Sequence, residues 1–162
     1  SFIPGNKSDY PNYLNKALGV NAKVYHSGLS LAELAHLIED TERDIYMQKV
    51  GAIKPKEYRH NRSGQRAQVV SEIEAAWVQV ENLAIPLALT IDKATTNAAL
   101  ARVQTEKVDG YDLFMLEAMK NNTVVQIITD DGDFATVHGI QVFTANRNVI
   151  SAARQQKKLL LR

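Results

Sequence analysis

The sequence TVVQIITDDGDFATVHGIQVFT, at residues 123–144, contains two short apolar runs separated by acidic residues. The first run, at residues 123–129, is β-branched and apolar, as a buried strand should be. Residues 139–144 form a second run of the same kind, and a helix is predicted before them at residues 111–121. The order helix, strand, acidic loop, strand favours an α/β fold with a mainly parallel sheet, because parallel strands need crossovers that are usually helical.

The rest of the chain adds predicted helices and one further strand. Residues 4–22 hold two prolines and two glycines among polar residues, which indicates a loop with room for a short helix. A short strand is expected at residues 23–26. Ser30 followed by Glu33 predicts a helix start, because a serine N-cap and a glutamate three residues later can form a capping box. Apolar periodicity predicts helices at residues 69–83 and 92–103.

Length and composition are those of an ordinary globular protein. The chain has 162 residues, of which 45% are hydrophobic, and 19 basic residues face 18 acidic ones. Because domains commonly have about 100–200 residues, we expect one domain over residues 1–162. The hydrophobic fraction argues against intrinsic disorder. The net charge of +1 is too small to indicate a polyanionic partner by itself.

Several classes of chemistry are excluded or poorly supported. The sequence contains no cysteine, which excludes disulfides, zinc–thiolate sites, iron–sulfur clusters and thiol nucleophiles. The lack of cysteine fits a reducing compartment, and we expect a cytoplasmic protein. No apolar run approaches the ~18–20 residues that a membrane span needs, so no membrane contact is expected. Glycine-rich phosphate loops, GxSxG and HExxH motifs are absent, which disfavours nucleotide-driven chemistry and serine hydrolysis.

Acidic residues are concentrated between residues 105 and 133, where seven acids face two lysines. The tightest group is DDGD at residues 130–133, called the acidic loop below, which directly follows a predicted strand. In open α/β sheets, ligands bind just beyond the carboxyl ends of the strands. Carboxylates this close repel one another unless a cation or solvent screens them. Because Mg²⁺ prefers oxygen ligands, the pattern predicts a divalent-metal site.

Each of these acids also has a structural interpretation. The acidic loop can be a simple turn, since Asp and Gly are common turn formers. Asp109 and Asp112 lie near a predicted helix start, where acids cap the helix or complement its dipole. Glu33 has the capping-box role. A calcium loop of the EF-hand type is rejected, because counting from Asp130 the sixth position is not glycine and the twelfth is Gln141.

Two basic segments are candidate nucleic-acid surfaces. Residues 51–66 hold five basic residues and one acid, and residues 154–162 hold four basic residues and no acid. Phosphate contacts supply most of the sequence-independent affinity for nucleic acids, and Tyr58 could stack on a base. A solvated helix face is the alternative for both segments, and the leucines at residues 159–161 could face a protein partner. The basic residues of the first segment are Lys54, Lys56, Arg59, Arg62 and Arg66.

Four motifs, in order, resemble those of a PIN domain, and within that superfamily most of all those of a VapC-type ribonuclease toxin. SGLSLAEL at residues 27–34 resembles the family's strand-to-helix segment, whose Glu is an active-site acid. DLFMLEA at residues 112–118 resembles the helix that opens with an active-site Asp. IITDDGDF at residues 127–134 is similar to the family's TxDxDF ending, the most specific of the four. GIQV at residues 139–142 matches the last strand.

The resemblance implies a PIN-like three-layer fold, with a mainly parallel central sheet flanked by helices. It implies hydrolysis of RNA phosphodiester bonds, helped by Mg²⁺ or Mn²⁺, and it makes RNA the nucleic acid that the basic segment at residues 51–66 is expected to contact. It further implies a homodimer and an antitoxin protein that covers the acidic groove. Asp109 matches no standard family position, and Asp130 occupies a position that varies. The acids assigned to catalysis and metal binding are Glu33, Asp112, Asp131 and Asp133.

One family motif is missing from the sequence. The family's first active-site Asp ends the first strand, and Ser1-Phe2-Ile3 looks like the residues that follow it. We therefore expect this Asp and its strand upstream of Ser1. If the protein lacks the Asp, the alternative is a catalytically impaired PIN-like module that binds RNA or protein. A nuclease that processes ribosomal or transfer RNA outside toxin–antitoxin systems is a further alternative.

Overall fold

The computed structural model of the protein describes residues 9–160. Residues 24–86 form one compact unit, and residues 9–23 with 87–160 form another, and each is described by itself. The single domain expected over the whole chain stays a prediction. The first part of the predicted N-terminal loop, the last two residues of the basic tail and the strand expected before Ser1 lie outside the described residues.

Seven helices and four short strands are found in the described part of the chain. No helix in this part is both long enough and apolar enough to cross a membrane. In chain order the elements are α1 (Asp9–Gly19), β1 (Tyr25–His26), α2 (Gly28–Val50), α3 (Pro55–Asn61), α4 (Ser63–Leu83), β2 (Ile85–Pro86), α5 (Lys93–Arg102), α6 (Gly110–Asn121), β3 (Gln126–Ile128), β4 (Gln141–Phe143) and α7 (Arg147–Gln155), with a single 3-10 turn at Asp133–Ala135 between β3 and β4.

The unit at residues 24–86 is a helical crossover between two parallel strands. β1 pairs with β2, with Tyr25 opposite Ile85, and α2, α3 and α4 connect the two strands. The three helices pack against one another. Tyr58 and Val69 are buried among them, and Trp77 packs edge-on against the His26 ring at 4.9 Å. Such a connection is what parallel strands require.

The start of α2 corrects one sequence prediction. The helix begins at Gly28, one turn earlier than expected, with Ser27 as its N-cap. The backbone N–H of Ser27 donates to Ser30 Oγ at 3.1 Å, so Ser30 already lies within the first turn. The predicted capping box of Ser30 and Glu33 is therefore wrong. Both positions hold serine, and a serine at either one satisfies the preference of an N-cap.

The second unit contains a parallel ladder beside the acidic loop. β3 pairs with β4, and Ile127 lies opposite Val142. On the other side of β4, Leu159 bridges to Val142 in parallel, supported by the Leu160 N–H, which donates to the Val142 carbonyl at 2.9 Å. Leu159 also packs against the buried core. Leu159 is therefore partly used by the fold of its own unit; that the leucines at residues 159–161 face a protein partner stays a prediction, and Leu161 lies outside the described residues.

The core of this unit lies between α6, the 3-10 turn, β4 and α7. Its buried members come from all four elements, which ties the acidic loop to the helix before it and the helix after it. The helices predicted at residues 92–103 and 111–121 are confirmed as α5 and α6. The buried core residues are Leu116, Met119, Phe134, Ala135, Val137, Ile140, Val142, Val149 and Ala153.

The α/β class with parallel pairing is confirmed, but in a smaller form than expected. Among the described residues each sheet has two strands, so the structure does not show a central sheet with helices in three layers. The strand predicted at residues 123–129 is shortened to β3, and its predicted burial is wrong, because Gln126 and Ile128 are exposed. Within that sheet β3 pairs with β4 alone.

Candidate functional site

The acidic loop is held in a fixed turn by its own side chains. Thr129 Oγ1 accepts the backbone N–H of Asp131 at 3.0 Å, and Asp131 Oδ1 accepts the N–H of Asp133 at 2.8 Å. Side-chain oxygens of Thr and Asp commonly bond the backbone two residues further on, and that pattern closes a turn. Asp131 and Asp133 are exposed. The loop therefore presents two carboxylates to solvent just beyond β3.

Asp130 has a different environment from the two acids that follow it. It is half-buried, and its Oδ1 accepts hydrogen bonds from the Tyr10 hydroxyl, from Thr144 Oγ1 at 2.8 Å and from the Asn146 N–H at 3.2 Å. Burial, and then the hydrogen bond to Asp130, raise the pKa of Tyr10 above its ordinary value. Through Oδ1, this carboxylate anchors the loop to α1 and to the segment after β4.

Asp109 and Asp112 lie together at the start of α6. Asp109 is the N-cap, and its Oδ1 accepts the N–H groups of Tyr111 at 3.0 Å and Asp112 at 3.2 Å. Its structural interpretation therefore holds. Asp112 lies in the first turn and is half-buried. An acidic side chain in the first turn of a helix is favoured by the helix dipole, so Asp112 also has a structural interpretation.

The structure groups the four predicted catalytic acids only in part. Asp131 and Asp133 are joined within one loop, and Asp112 lies on α6 of the same unit. Glu33 is exposed on α2, in the unit at residues 24–86. Because α2 is capped by Ser27, no capping role accounts for Glu33.

The resemblance implies a divalent metal ion, and the acidic side chains of the described residues meet its requirements only in part. Within residues 9–160, no group of three or more His, Asp or Glu side chains is arranged to hold a metal ion. Mg²⁺ commonly takes one or two protein carboxylates directly and keeps several waters. Asp131 and Asp133 fit that requirement in chemistry and in exposure. The acidic loop therefore fits a two-carboxylate site better than a preformed cage of acids.

The basic segment contains an ion-pair cluster that sequence reasoning missed. Glu39 on α2 is 6% exposed, and both of its carboxylate oxygens accept from Arg59 Nε at 2.9 Å. Arg66 Nη1 donates to Glu39 Oε2 at 3.0 Å. The hydrogen bond from Arg59 holds the pKa of Glu39 below its usual value, against the opposing effect of burial. These partners lie 20 and 27 residues from Glu39, so no local pattern points to them.

Two further residues of the segment have partners of their own. The Arg62 guanidinium lies 6.0 Å from the centre of the Tyr46 ring and 3.9 Å from Glu57. Tyr58 is 1% exposed, and burial raises the pKa of its hydroxyl. The prediction that Tyr58 stacks on a base is therefore wrong, because its ring faces the helices of its own unit.

The exposed cations of residues 51–66 form a smaller basic surface than the five basic residues in the sequence suggest. Lys54 and Lys56 are exposed at the start of α3. Arg59 and Arg66, although bonded to Glu39, keep 42% and 43% of their side chains exposed. In the basic tail, Lys158 donates to the Val137 carbonyl, and burial lowers its pKa. Lys158 is therefore engaged within the protein, whereas Arg154 and Lys157 of the tail are exposed.

A pocket of about 260 Å³ lies in the unit of the acidic loop. It contains no carboxylate, so it is not a candidate metal site. Its one arginine is engaged, since Arg102 Nε donates to the buried Glu117. The lining residues are Arg102, Leu116, Lys120, Thr123, Val124, Val125, Val137, His138 and Ile140.

No family model, curated protein or solved structure matches this chain. The resemblance to PIN domains therefore rests on the order of the four motifs in the sequence. What the geometry contributes is the distinction between the anchored Asp130 and the exposed acids beside it.

Proposed function

We propose that the protein is a metal-dependent endoribonuclease of the PIN superfamily, acting as the toxin of a toxin–antitoxin pair. The observation that carries the proposal is the acidic loop, where Asp131 and Asp133 are exposed together beyond the carboxyl end of β3. That edge of a parallel α/β sheet is where ligands bind. The adjacent Asp130 fixes the loop to the rest of its unit. Asp131 and Asp133 are therefore not needed for that anchoring, and the proposed chemistry is assigned to them.

The roles divide between the residues of this unit. Asp131 and Asp133 are the proposed direct ligands of Mg²⁺ or Mn²⁺. Asp112, on α6 of the same unit, is proposed to add a further negative charge to the metal site. Asp131 already uses Oδ1 to accept the N–H of Asp133, so Oδ2 is the oxygen proposed for the metal. A bound divalent ion would supply a water of lowered pKa and stabilise charge on the phosphate oxygens. The carboxylates would fix the position of the metal ion. Without a metal ion, their negative charge would repel the phosphate groups of RNA.

Glu33 belongs to the proposal through the resemblance alone. Its exposure on α2 and the absence of a capping role are compatible with a functional acid. A separate Glu33 variant therefore tests it independently of the acidic loop.

The proposed RNA surface is the segment at residues 51–66. Lys54, Lys56 and Arg62 are exposed there, and contacts of such cationic side chains to phosphates carry no sequence information. Arg59 and Arg66 are proposed to contribute through their exposed faces. The PIN-like three-layer fold, the homodimer and the antitoxin are parts of the same proposal, and the ladder of β3, β4 and Leu159 is compatible with a parallel central sheet.

A binding module without nuclease activity is the second candidate function. The absence of a group of three metal-binding side chains among residues 9–160 favours it. In that case the basic segment would still bind RNA, and the acidic loop would have no catalytic role.

The test is cleavage of a labelled structured RNA by the full-length protein with Mg²⁺, with Mn²⁺ and with EDTA. The variants are Asp112→Asn and Asp131→Asn. Asp109→Asn is the matched control, because it also removes one carboxylate from this region while asparagine remains a good N-cap. Circular dichroism establishes that each variant is folded.

We expect cleavage that needs the metal, that both test substitutions abolish and that Asp109→Asn leaves intact. Absence of cleavage by folded wild-type protein with any metal would favour the binding module. Cleavage that is unchanged in Asp112→Asn and Asp131→Asn would exclude the proposed site.

A further inference from the structure

A hydrogen-bond network surrounds the Asp130 carboxylate at the base of the acidic loop. Asp130 Oδ1 accepts from Tyr10, from Thr144 and from the Asn146 N–H. The Tyr10 hydroxyl in turn accepts the Ala145 N–H at 3.0 Å. Hydrogen bonds to an ionised carboxylate are shorter and stronger than bonds between neutral groups. One oxygen therefore connects α1, the acidic loop and the segment after β4.

Aromatic packing fixes α1 against the same place. The Tyr10 ring meets Phe143 edge-on at 6.0 Å, and the Tyr13 ring stacks on Phe143 at 3.6 Å. Phe143 is the last residue of β4 and is 1% exposed. Tyr10 thus has little freedom to move its hydroxyl away from Asp130 without disturbing a buried ring.

The network acts directly on the position of the exposed acids. Asp130 lies between Thr129 and Asp131 in the chain. The Thr129 N–H donates to the Phe143 carbonyl at 3.0 Å, which fixes Thr129 to β4. Thr144 is fully buried, so its bond to Asp130 is shielded from water. A shift of Asp130 would carry Asp131 with it.

We infer that Tyr10 and Thr144, acting through Asp130, are positioning residues that hold Asp131 and Asp133 in the geometry for binding a divalent metal ion. This inference rests on the proposed function, because it assigns the network to the same site. The hydroxyl of Tyr10 and that of Thr144 supply the two side-chain donors, and neither touches metal or substrate. Loss of either hydroxyl keeps both carboxylates in the protein but removes one of the hydrogen bonds that restrain the loop carrying them.

The experiment compares Tyr10→Phe with Tyr13→Phe in the full-length protein. Both substitutions remove one tyrosine hydroxyl from α1 and keep the ring on Phe143, but only the first removes a donor to Asp130. Two quantities are measured. One is the single-turnover RNA cleavage rate against Mn²⁺ concentration, and the other is the broadening of the backbone amide NMR signals of residues 131–133 by Mn²⁺.

We expect Tyr10→Phe to weaken Mn²⁺ binding at the loop by about 10-fold, the lower end of the effect of losing a direct partner of a metal ligand, because Tyr10 acts through the neighbouring Asp130. The cleavage rate should recover at high Mn²⁺, while the RNA concentration for half-maximal rate stays unchanged. Tyr13→Phe should match the wild type in both measurements. Equal Mn²⁺ affinity in the two variants would overturn the inference.

Thr144 provides a second, independent pair of variants. Thr144→Val removes the hydroxyl and Thr144→Ser retains it, so the first should weaken Mn²⁺ binding and the second should restore it. If both lose Mn²⁺ binding to the same degree while remaining folded, packing and not the hydroxyl is responsible, and the inference fails.

The Mn²⁺ readout separates this inference from the proposed function. A wild-type loop that binds Mn²⁺ while the protein cuts no RNA contradicts the proposed nuclease, and the Tyr10 and Thr144 variants then still decide the positioning role. A wild-type loop whose amide signals are unaffected by Mn²⁺ overturns the inference itself.

Discussion

Asp130 and Asp131 are neighbours in the chain and yet have opposite surroundings. The first has its Oδ1 enclosed by three donors, and the second is exposed. Such a contrast is how a protein assigns different roles to acids of the same type, because hydrogen bonding and solvation set what each carboxylate can bind. The same contrast separates Glu39, which is enclosed by arginines, from the exposed Glu33.

The Glu39 cluster predicts how stability depends on pH. Because the folded state holds the pKa of Glu39 below its ordinary value, its carboxylate contributes stability that is present above the ordinary pKa and lost as the pH falls through the folded one. At neutral pH, Glu39→Gln should lower the free energy of unfolding by about 1–3 kcal/mol, the range for hydrogen bonds to charged groups. Urea unfolding at a series of pH values measures the difference.

The pH series also contains the control. The difference between wild type and Glu39→Gln should shrink below about pH 4, where glutamate protonates. Glu74→Gln, on an exposed face of α4, should change the unfolding free energy by less than about 0.5 kcal/mol. An effect of Glu39→Gln that is constant from neutral to acid pH would contradict the ion-pair explanation.

A substitution of Glu33 should change the RNA cleavage rate without changing the free energy of unfolding. If Glu33 is the active-site acid that the resemblance implies, Glu33→Gln should lower the RNA cleavage rate by at least about 100-fold, because such an acid contributes several kcal/mol of transition-state stabilisation. Its unfolding free energy should be unchanged within about 0.5 kcal/mol, since the side chain is exposed. An unchanged cleavage rate would remove Glu33 from the proposed site.

Among the elements, α6 has the clearest start signal. Asp109 accepts two backbone N–H groups there, and such a cap is commonly worth about 1 kcal/mol. Asp109→Ala should therefore destabilise the protein by about 0.5–2 kcal/mol in urea unfolding, and Asp109→Asn should be close to neutral. Equal losses in the two variants would mean that the charge, and not the cap, is what matters.

The sequence predicts those elements whose signals are local. Periodicity and a capping aspartate are enough to define α5 and α6, and β-branched runs are enough to indicate β3 and β4. The sequence does not define the start of α2, because Ser27 and Ser30 are both acceptable N-caps and lie about one turn apart. Local signals thus give the type of an element more reliably than its first residue.

The environment of a side chain cannot be predicted from the sequence when its partners lie far away along the chain. The basic neighbours of Arg59 predict a nucleic-acid contact, but they give no sign that Arg59 also binds Glu39 from another helix. Tyr58 looked accessible beside those cations, although it is buried under α2. Asp130 could not be told from Asp131 until Tyr10, 120 residues away, was placed against it. Each case is decided by tertiary packing, which overrides the local pattern.

For the molecule as a whole, charge distribution matters more than net charge. The chain carries a net charge of only +1, yet the exposed cations at the start of α3 form a surface suited to phosphate. Each phosphate contact contributes about one unit to the slope of log affinity against log salt. Lys54→Gln with Lys56→Gln should therefore weaken RNA binding and lower that slope by about two.

The matched control for this measurement is Lys93→Gln, an exposed lysine at the start of α5. It should leave the salt slope of RNA binding unchanged, as measured by fluorescence anisotropy. If all three lysine substitutions reduce the slope equally, binding is diffuse and residues 51–66 are not a specific surface.

The most direct measurement is the single-turnover cleavage rate of a labelled structured RNA by excess full-length protein. Wild type and Asp131→Asn are compared in Mn²⁺ and in EDTA, with Asp109→Asn beside them. A metal-dependent nuclease that uses the acidic loop predicts cleavage by wild type and by Asp109→Asn in Mn²⁺ only, and a rate at least about 100-fold lower in Asp131→Asn. Equal rates in wild type and folded Asp131→Asn, or equal rates in Mn²⁺ and EDTA, would contradict it.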